Sequence, residues 1–161
     1  MQKYSNPMSR QVFSLPQLIE EQYEDLEPKV RTVLTTPEIY NIQRIVLTGC
    51  GDSFAAGMAA KYAFETLTGI PTEVVSAIEL SRYYDKRHLG VDCKNPLVIA
   101  VSNSGSVARM SEAVQRARMY DSFVLGITGN ENSSMGIHCD KVLKLNIPDF
   151  MNTRNKGAHI A

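Results

Sequence analysis

A short apolar run that ends abruptly in small polar residues constrains this sequence more than any other feature. Residues 97–101 read Leu-Val-Ile-Ala-Val, and residues 102–106 read Ser-Asn-Ser-Gly-Ser. A helical pattern follows over about 106–120, with apolar side chains at three- and four-residue intervals. An uninterrupted apolar strand before a helix is typical of a parallel sheet buried on both faces. The first N–H groups of such a helix lack intrahelical partners and attract anions.

Other apolar segments alternate with helical patterns along the chain. The predicted strands are 44–48, 72–76, 97–101, 121–128 and 141–146, and the predicted helices are 54–68, 77–84 and 106–120. This alternation predicts an α/β fold: three αβα layers around a five-stranded, flavodoxin-like parallel sheet with right-handed crossovers. Ligands of such sheets bind at the carboxyl ends of the strands. We therefore expect the polar loops after the first and third strands to lie side by side.

The two ends of the chain give weaker signals. Residues 1–14 are interpreted as a loose arm, followed by an apolar helical stripe from Leu15 to Val33. Pro28 lies within that stripe, so we expect a kink or two shorter helices. The predicted organisation is an arm and helix over 1–40 and one domain over 41–161. Residues 157–161 resemble the start of a helix, which predicts that the sequence is the first part of a longer protein or a fragment.

Composition excludes several classes of protein. The 17 basic and 17 acidic residues give a net charge of +0, which argues against nucleic acid or an anionic membrane as partner. The three cysteines, at 50, 93 and 139, form no CxxC pair, which argues against a disulfide framework and a zinc site. Residues 1–10 lack the apolar core of a signal peptide. We expect a cytoplasmic protein that uses no metal and no cofactor.

The loop over residues 102–106 is the first candidate binding element. Three hydroxyls, one amide and several backbone N–H groups converge there, and Gly105 permits a positive φ. One interpretation is a cradle for a phosphate without a metal. The other is plain capping of the following helix by Ser104 or Ser106.

The second candidate is the loop over residues 49–53, Gly-Cys-Gly-Asp-Ser. It matches half of a dinucleotide-binding fingerprint, but Phe54 and Ala55 follow where a third glycine belongs, so a nicotinamide cofactor is not expected. The sequence also lacks the GxxxxGK[ST] pattern of P-loop enzymes. Ser53 can cap the next helix, bind a sugar hydroxyl, or do both.

Together these motifs resemble a known family, the sugar isomerase (SIS) domain. The resemblance covers about residues 15–161 and is carried by four segments: Gly-Cys-Gly-Asp-Ser-Phe at 49–54, Gly-Ile-Pro at 69–71, Ala-Ile-Glu-Leu at 77–80 and Val-Ser-Asn-Ser-Gly-Ser at 101–106. Within the family, the sequence is most similar to the first SIS domain of glucosamine-6-phosphate synthases and of fructosamine-6-phosphate deglycases.

The resemblance implies a sugar phosphate as ligand. The residues it implicates are Gly51, Ser53, Ser102, Asn103, Ser104, Gly105 and Ser106, of which 102–104 would hold the phosphate and Ser53 the sugar. A threonine of the family's phosphate site is replaced here by Val107, and Ser106 would compensate in part. The resemblance also implies that catalytic groups lie in a second SIS domain.

No acid–base pair stands out among the side chains. Four candidates, Glu79, His88, His138 and Cys50, are more readily interpreted as structural or solvated. Asp52 can cap the next helix or bind a sugar hydroxyl, and the resemblance allows His159 a contact in the ligand loop. The catalytic residues are therefore left unassigned. Two functions stay open. The chain is either a part of an isomerase or deglycase for an amino- or fructosamine-type sugar 6-phosphate, or a phosphosugar-sensing module. A flavodoxin-like nucleotide binder is a weaker third possibility. Apolar surface on Leu15–Val33 and on 54–68 predicts a homo-oligomer.

Overall fold

The computed structural model describes residues 7–90 and 95–147 of the chain. Its elements, in chain order, are α1 (Pro7–Val33), α2 (Thr36–Asn41), β1 (Arg44–Gly49), α3 (Asp52–Thr68), β2 (Thr72–Ser76), α4 (Ala77–Arg82), β3 (Pro96–Val101), α5 (Ala108–Met119), β4 (Phe123–Thr128) and β5 (Lys141–Lys144). Short 3-10 turns occupy Lys86–Leu89 and Gly136–His138. Cys93, the helix start predicted over 157–161 and the candidate His159 lie outside the described residues.

The five strands form one parallel sheet in the order β2-β1-β3-β4-β5. This is the flavodoxin-like order, so the predicted fold class is confirmed. The order reverses between β1 and β3, where Gly49 is the register partner of Val101. The chain therefore leaves the sheet at two adjacent points on the carboxyl edge, once after each of these strands.

Alternation along the strands divides the core between the two faces of the sheet. Val46, Val98 and Val124 point toward α4 and α5 and are fully buried with Leu80 and Met110. The opposite face carries a smaller cluster with side chains from α1 and α3 packed on it; its buried members are Ile45, Leu47, Leu97, Ile99, Leu125 and Leu143. Neighbouring residues of one strand thus serve two cores, which explains why the central strands β1 and β3 contain unbroken apolar runs.

Most predicted boundaries hold to within two or three residues. β2 matches the prediction over 72–76. β4 begins at Phe123 and not at 121, because Asp121 turns the chain with a φ of 64° and Ser122 donates to the Leu89 carbonyl at 3.0 Å. α5 begins at Ala108 and not at 106, because Ser106 still belongs to the polar loop.

The N-terminal region differs from its prediction. A single helix, α1, runs from Pro7 to Val33 through Pro16 and Pro28. The prediction of a loose arm over 1–14 is therefore wrong from residue 7 onward. The alternative of two separate helices is also wrong. Contacts with β5 and the residues just after it hold the helix on both sides of Pro28: Gln22 Nε2 donates to the Asn146 carbonyl at 2.9 Å, and Lys29 Nζ donates to the Lys144 carbonyl at 3.2 Å.

Helix α2 was not predicted from the sequence. It begins after Thr35, whose N–H and hydroxyl both donate to the Glu38 carboxylate, at 2.6 and 2.8 Å. A proline in the first turn suits the start of a helix because its missing N–H would be unpaired there in any case. Lys141 Nζ of β5 also binds this carboxylate, at 2.7 Å, and ties α2 to the sheet edge.

Candidate functional site

The two candidate loops lie next to each other at the carboxyl edge of the sheet. β1 and β3 are hydrogen-bonded neighbours, and the loops follow Gly49 and Val101, which are register partners. Each loop leads into a long helix, α3 or α5. The first-turn N–H groups of both helices therefore face the same edge, as the sequence predicted.

Backbone crowding fixes the shape of the loop after β1. A Cβ at Gly49 would lie 2.7 Å from the Ser53 carbonyl carbon and 2.8 Å from the Phe54 nitrogen, so the strand end touches the first turn of α3 and only glycine fits. Gly51 is the N-cap of α3 with a φ of 55°. Its carbonyl accepts from the Phe54 and Ala55 N–H groups, both at 3.1 Å. This tight turn leaves the Ser53 side chain half-buried beside the loop.

The loop after β3 is held by its own serines. Ser102 is buried, and its carbonyl and Oγ each accept from the Gly105 N–H at 3.2 Å. Ser104 Oγ accepts from the Ser106 N–H at 3.3 Å and from the Ser106 hydroxyl at 3.0 Å. Ser104 and Ser106 are exposed. Ser102 therefore shapes the loop from inside, while the other two hydroxyls are open to a ligand.

A third loop, between β4 and β5, supports the phosphate-loop candidate from behind. The Met135 N–H and the Ser134 hydroxyl both donate to the Gly105 carbonyl, at 3.0 and 3.2 Å. The Thr128 hydroxyl and the Gly129 N–H both donate to the Asn103 carbonyl, at 3.1 and 2.9 Å.

Sequence reasoning missed this support. The paired serines at 133 and 134 after a strand were the available signal, but only their tertiary contacts assign them a role. Ser133 packs directly against the phosphate-loop candidate, since a Cβ added to Gly105 would lie 2.0 Å from the Ser133 Oγ.

The donors of the site are neutral. Neither candidate loop, 49–53 or 102–107, contains lysine or arginine. Val107 is the N-cap of α5 and, as its apolar side chain requires, makes no capping hydrogen bond. An anion bound here would be held by hydroxyls and by helix N–H groups, whose dipoles favour negative charge.

The acid–base candidates do not converge on these loops as a pair. Glu79 is exposed in the first turn of α4, where its N–H donates to Ser76 Oγ at 3.3 Å. His88 is exposed, with its ring centroid 5.5 Å from that of Tyr84. His138 lies in the 3-10 turn before β5. Asp52 is exposed at the start of α3. Burial raises the pKa of the Cys50 thiol, which disfavours the thiolate a nucleophile needs.

A cavity of about 400 Å³ lies at the opposite edge of the sheet, lined by residues that include Glu38, Asn95, Arg118 and Asp140. Three of its four charged side chains, all but Asp121, are already paired. Glu38 binds Lys141, and Asp140 binds Arg118 at 2.9 Å and accepts from the Val124 N–H at 2.8 Å. We therefore place the candidate site at the loops and not at this cavity. Within residues 7–90 and 95–147, no three His, Cys, Asp or Glu side chains group as metal ligands.

The fold and the paired polar loops define a class: a flavodoxin-like α/β domain with a hydroxyl-lined site at its switch point. The comparisons with known proteins specify the family. The SIS domain model matches residues 38–154, so the chain belongs to the SIS domain family.

Three relatives illustrate the match. The glutamine–fructose-6-phosphate aminotransferase (isomerizing) of Mycobacterium bovis is 36% identical over 110 residues, which are 68% of this chain and 17% of that protein. The C-terminal domain of glucosamine-fructose-6-phosphate aminotransferase from Francisella tularensis superposes with a TM-score of 0.69 at 20% identity, covering 90% of this chain and 40% of that one. Vibrio vulnificus NanR complexed with ManNAc-6P superposes at 0.64 and 17% identity, covering 88% and 54%.

The chain thus spans about one sixth of the length of the curated relatives it matches. Among the described residues, no helix combines the length and apolarity needed to cross a membrane.

Proposed function

We propose that the chain binds a sugar monophosphate, with the phosphate at the Ser102–Ser106 loop and the sugar beside Ser53. The observation that carries the proposal is the juxtaposition of two hydroxyl-bearing loops at the first turns of α3 and α5, without a cationic side chain in either loop. Membership of the SIS family supports it, as do relatives whose names include fructose-6-phosphate.

The geometry suits a monoester. A phosphate needs several convergent donors, and the exposed hydroxyls of Ser104 and Ser106, the Asn103 amide and the N-terminal N–H groups of α5 supply them. The positive φ of Gly105, 62°, and its close approach to Ser133 fix the turn that presents Ser104 and Ser106. Gly51 has a φ of 55° and open space where a Cβ would stand, so the backbone beside Ser53 is left uncovered. Val107 adds no hydroxyl, so we expect Ser106 to carry more of the binding.

For the reaction, we propose that the chain supplies the substrate-binding half of an isomerase or deglycase for an amino- or fructosamine-type sugar 6-phosphate. Moving a proton between two sugar carbons requires an acid and a base near the ring. Since Glu79, His88 and His138 form no such pair in the described residues, the catalytic groups would come from outside them or from another subunit. The free thiols of Cys50 and Cys139 suit a cytoplasmic protein, and we propose that it works there as a homo-oligomer.

The second candidate is a phosphosugar-sensing module. The lack of an acid–base pair among Glu79, His88 and His138 in the described residues supports this class, and the NanR protein complexed with ManNAc-6P shares the fold at 17% identity. The two candidates differ in one measurable respect. A sensor would bind the sugar phosphate and leave it unchanged, even when supplied with any partner that completes the site.

A thermal-shift screen tests the binding site. Fructose, glucosamine and fructosamine 6-phosphates should raise the melting temperature, and the unphosphorylated sugars should not. Ser104→Ala should remove the shift. Thr68→Ala, which deletes an exposed hydroxyl at the far end of α3, should keep it. A full shift in Ser104→Ala, or a shift caused by nucleotides and not by sugar phosphates, would contradict the proposal.

A further inference from the structure

We propose that a small organic cation, a primary ammonium group on a short apolar chain, binds in the cavity at the edge of the sheet where the strands begin. This cavity of about 400 Å³ lies between α2, the first residues of β3 and β4, and the carboxyl end of α5. It is at the end of the sheet away from the loops that follow β1 and β3. The inference therefore does not depend on sugar-phosphate binding.

The acidic side chains of the cavity show which charge it accepts. Its charged lining consists of Glu38, Asp121, Asp140 and Arg118. Lys141 Nζ lies 2.7 Å from the Glu38 carboxylate. Arg118 Nη1 lies 2.9 Å from the Asp140 carboxylate. The Asp121 carboxylate makes no hydrogen bond or ion pair with any described residue. Two of the three acids are thus bound by cations of the chain itself, and the third has room for a cation from outside.

The end of α5 adds to the negative potential. This helix ends at Met119, and its Arg118 lines the cavity, so its carboxyl end lies there. The dipole of a helix places partial negative charge on its last carbonyl groups and favours cations beside them. The loops after β1 and β3 have the reverse arrangement, with helix N-termini facing the ligand. The two ends of the sheet therefore suit ligands of opposite charge.

Apolar side chains form much of the remaining wall. Leu34, Ile42 and Phe123 line the cavity half-buried, beside the buried Pro96. A metal ion would leave this surface wet, and within residues 7–90 and 95–147 no three His, Cys, Asp or Glu side chains group as metal ligands. An alkyl chain on the ammonium group would remove the apolar surface from water. The volume falls within the ~300–1,000 Å³ that is typical of sites for small molecules.

Two residues of the lining have a strained backbone. Asn95 has a φ of 50° and Asp121 a φ of 64°, and no other non-glycine residue among those described has a positive φ. Hydrogen bonds hold Asp121 in this conformation: its N–H donates to the Arg118 carbonyl, and the Ser122 N–H donates to the Ala117 carbonyl, both at 3.1 Å. Strain of this kind is concentrated at functional sites, ligand clamps among them. The backbone that carries the carboxylate is therefore fixed before a ligand binds.

Titration of hexylammonium chloride into the full 161-residue chain, followed through the backbone amide signals by NMR, tests the site. Saturable shifts of the Ser122 and Phe123 amides are expected at millimolar concentration. Hexanoate has the same chain and the opposite charge and should not bind. Propylammonium should bind at least about tenfold more weakly, because each buried methylene contributes about fourfold.

Asp121→Asn removes the charge and keeps a residue type that tolerates a positive φ. It should weaken hexylammonium binding by about tenfold or more, the factor expected for a hydrogen bond to a charged group. Glu20→Gln removes an equal charge from an exposed position on α1, outside the cavity, and should leave the affinity unchanged. Should Asp121→Asn not fold, Asp121→Gly removes the carboxylate at a φ that glycine adopts freely, with the same expected loss.

Three results would overturn the proposal: no saturable shift of Ser122 and Phe123, an unchanged affinity in the folded Asp121 variant, or equal binding of hexanoate. Shifts confined to α1 or α3 would do so as well, because their exposed apolar side chains offer an alkyl chain a surface without the cavity. Fructose 6-phosphate is expected to shift the amides of 102–106 instead. The two sites are therefore measured separately, and the failure of one proposal leaves the other standing.

Discussion

Gly105→Ala should destabilise the fold much more than the same change at another glycine of the same backbone conformation. Gly105 and Gly69 have φ angles of 62° and 69°, so alanine pays about 1 kcal/mol of left-handed strain at either position. At Gly69, the end of α3, an added Cβ meets nothing within 4 Å. At Gly105 it would lie 2.0 Å from Ser133 Oγ and 2.6 Å from Ser133 Cβ.

Ser133 cannot move aside easily. It is 6% exposed, and its Oγ accepts from the Gly136 N–H at 3.1 Å. Overpacking of this kind adds about 1–3 kcal/mol. We therefore expect a loss of about 3 kcal/mol in the free energy of unfolding for Gly105→Ala and about 1 kcal/mol for Gly69→Ala.

Urea denaturation measures both variants. With a slope of about 2 kcal/mol/M, the two midpoints should differ by about 1 M. Adding Ser133→Gly to Gly105→Ala should restore part of the loss, and a double-mutant cycle isolates that coupling from the cost of Ser133→Gly alone. Equal losses in the two single variants, or zero coupling in the cycle, would refute the claim that the β4–β5 loop presses on Gly105.

Three further predictions concern the packing around the sheet. Tyr84→Phe should lower the free energy of unfolding, measured by urea denaturation, by about 1.5–3 kcal/mol. The substitution removes the 2.7 Å hydrogen bond that the buried phenol donates to the Glu73 carboxylate. An unchanged free energy of unfolding would contradict a role for this bond. Leu80→Ala, at a fully buried position against α5, should lower the free energy of unfolding by about 2–5 kcal/mol. A loss below about 1 kcal/mol would contradict this, because it would mean that neighbouring side chains fill the space left by the leucine. Hydrogen bonds from Lys141 and from the Thr35 N–H lower the pKa of Glu38 from 4.5 to about 2. The stability advantage of the wild type over Glu38→Gln should therefore be complete above pH 4.5, shrink as the pH falls toward 2 and vanish below it; an NMR titration midpoint near 4.5 would contradict this.

Local pattern was enough to predict the sheet and the edge at which the two candidate loops lie. Apolar runs such as 45–47 and 97–101 are strands in any context that buries both faces, because each residue needs an apolar neighbour on its own side. The chain also has to leave a parallel strand at its carboxyl end, so polar loops that follow such runs collect at one edge. The positions of Ser53 and Ser104 at this edge therefore follow from the sequence, whereas their binding of a ligand stays a prediction.

Contacts distant in sequence decided the rest. Pro28 predicts a kink or two shorter helices locally, but α1 continues through it as one helix, with Gln22 and Lys29 bound to the end of the sheet on either side. The support of Gly105 by Ser133 and Ser134 spans nearly 30 residues and leaves no local periodicity that could be recognised. The exposure of α3 is likewise tertiary. Its sequence is that of a covered helix, and only the packing of the other helices shows which face is left without a neighbour.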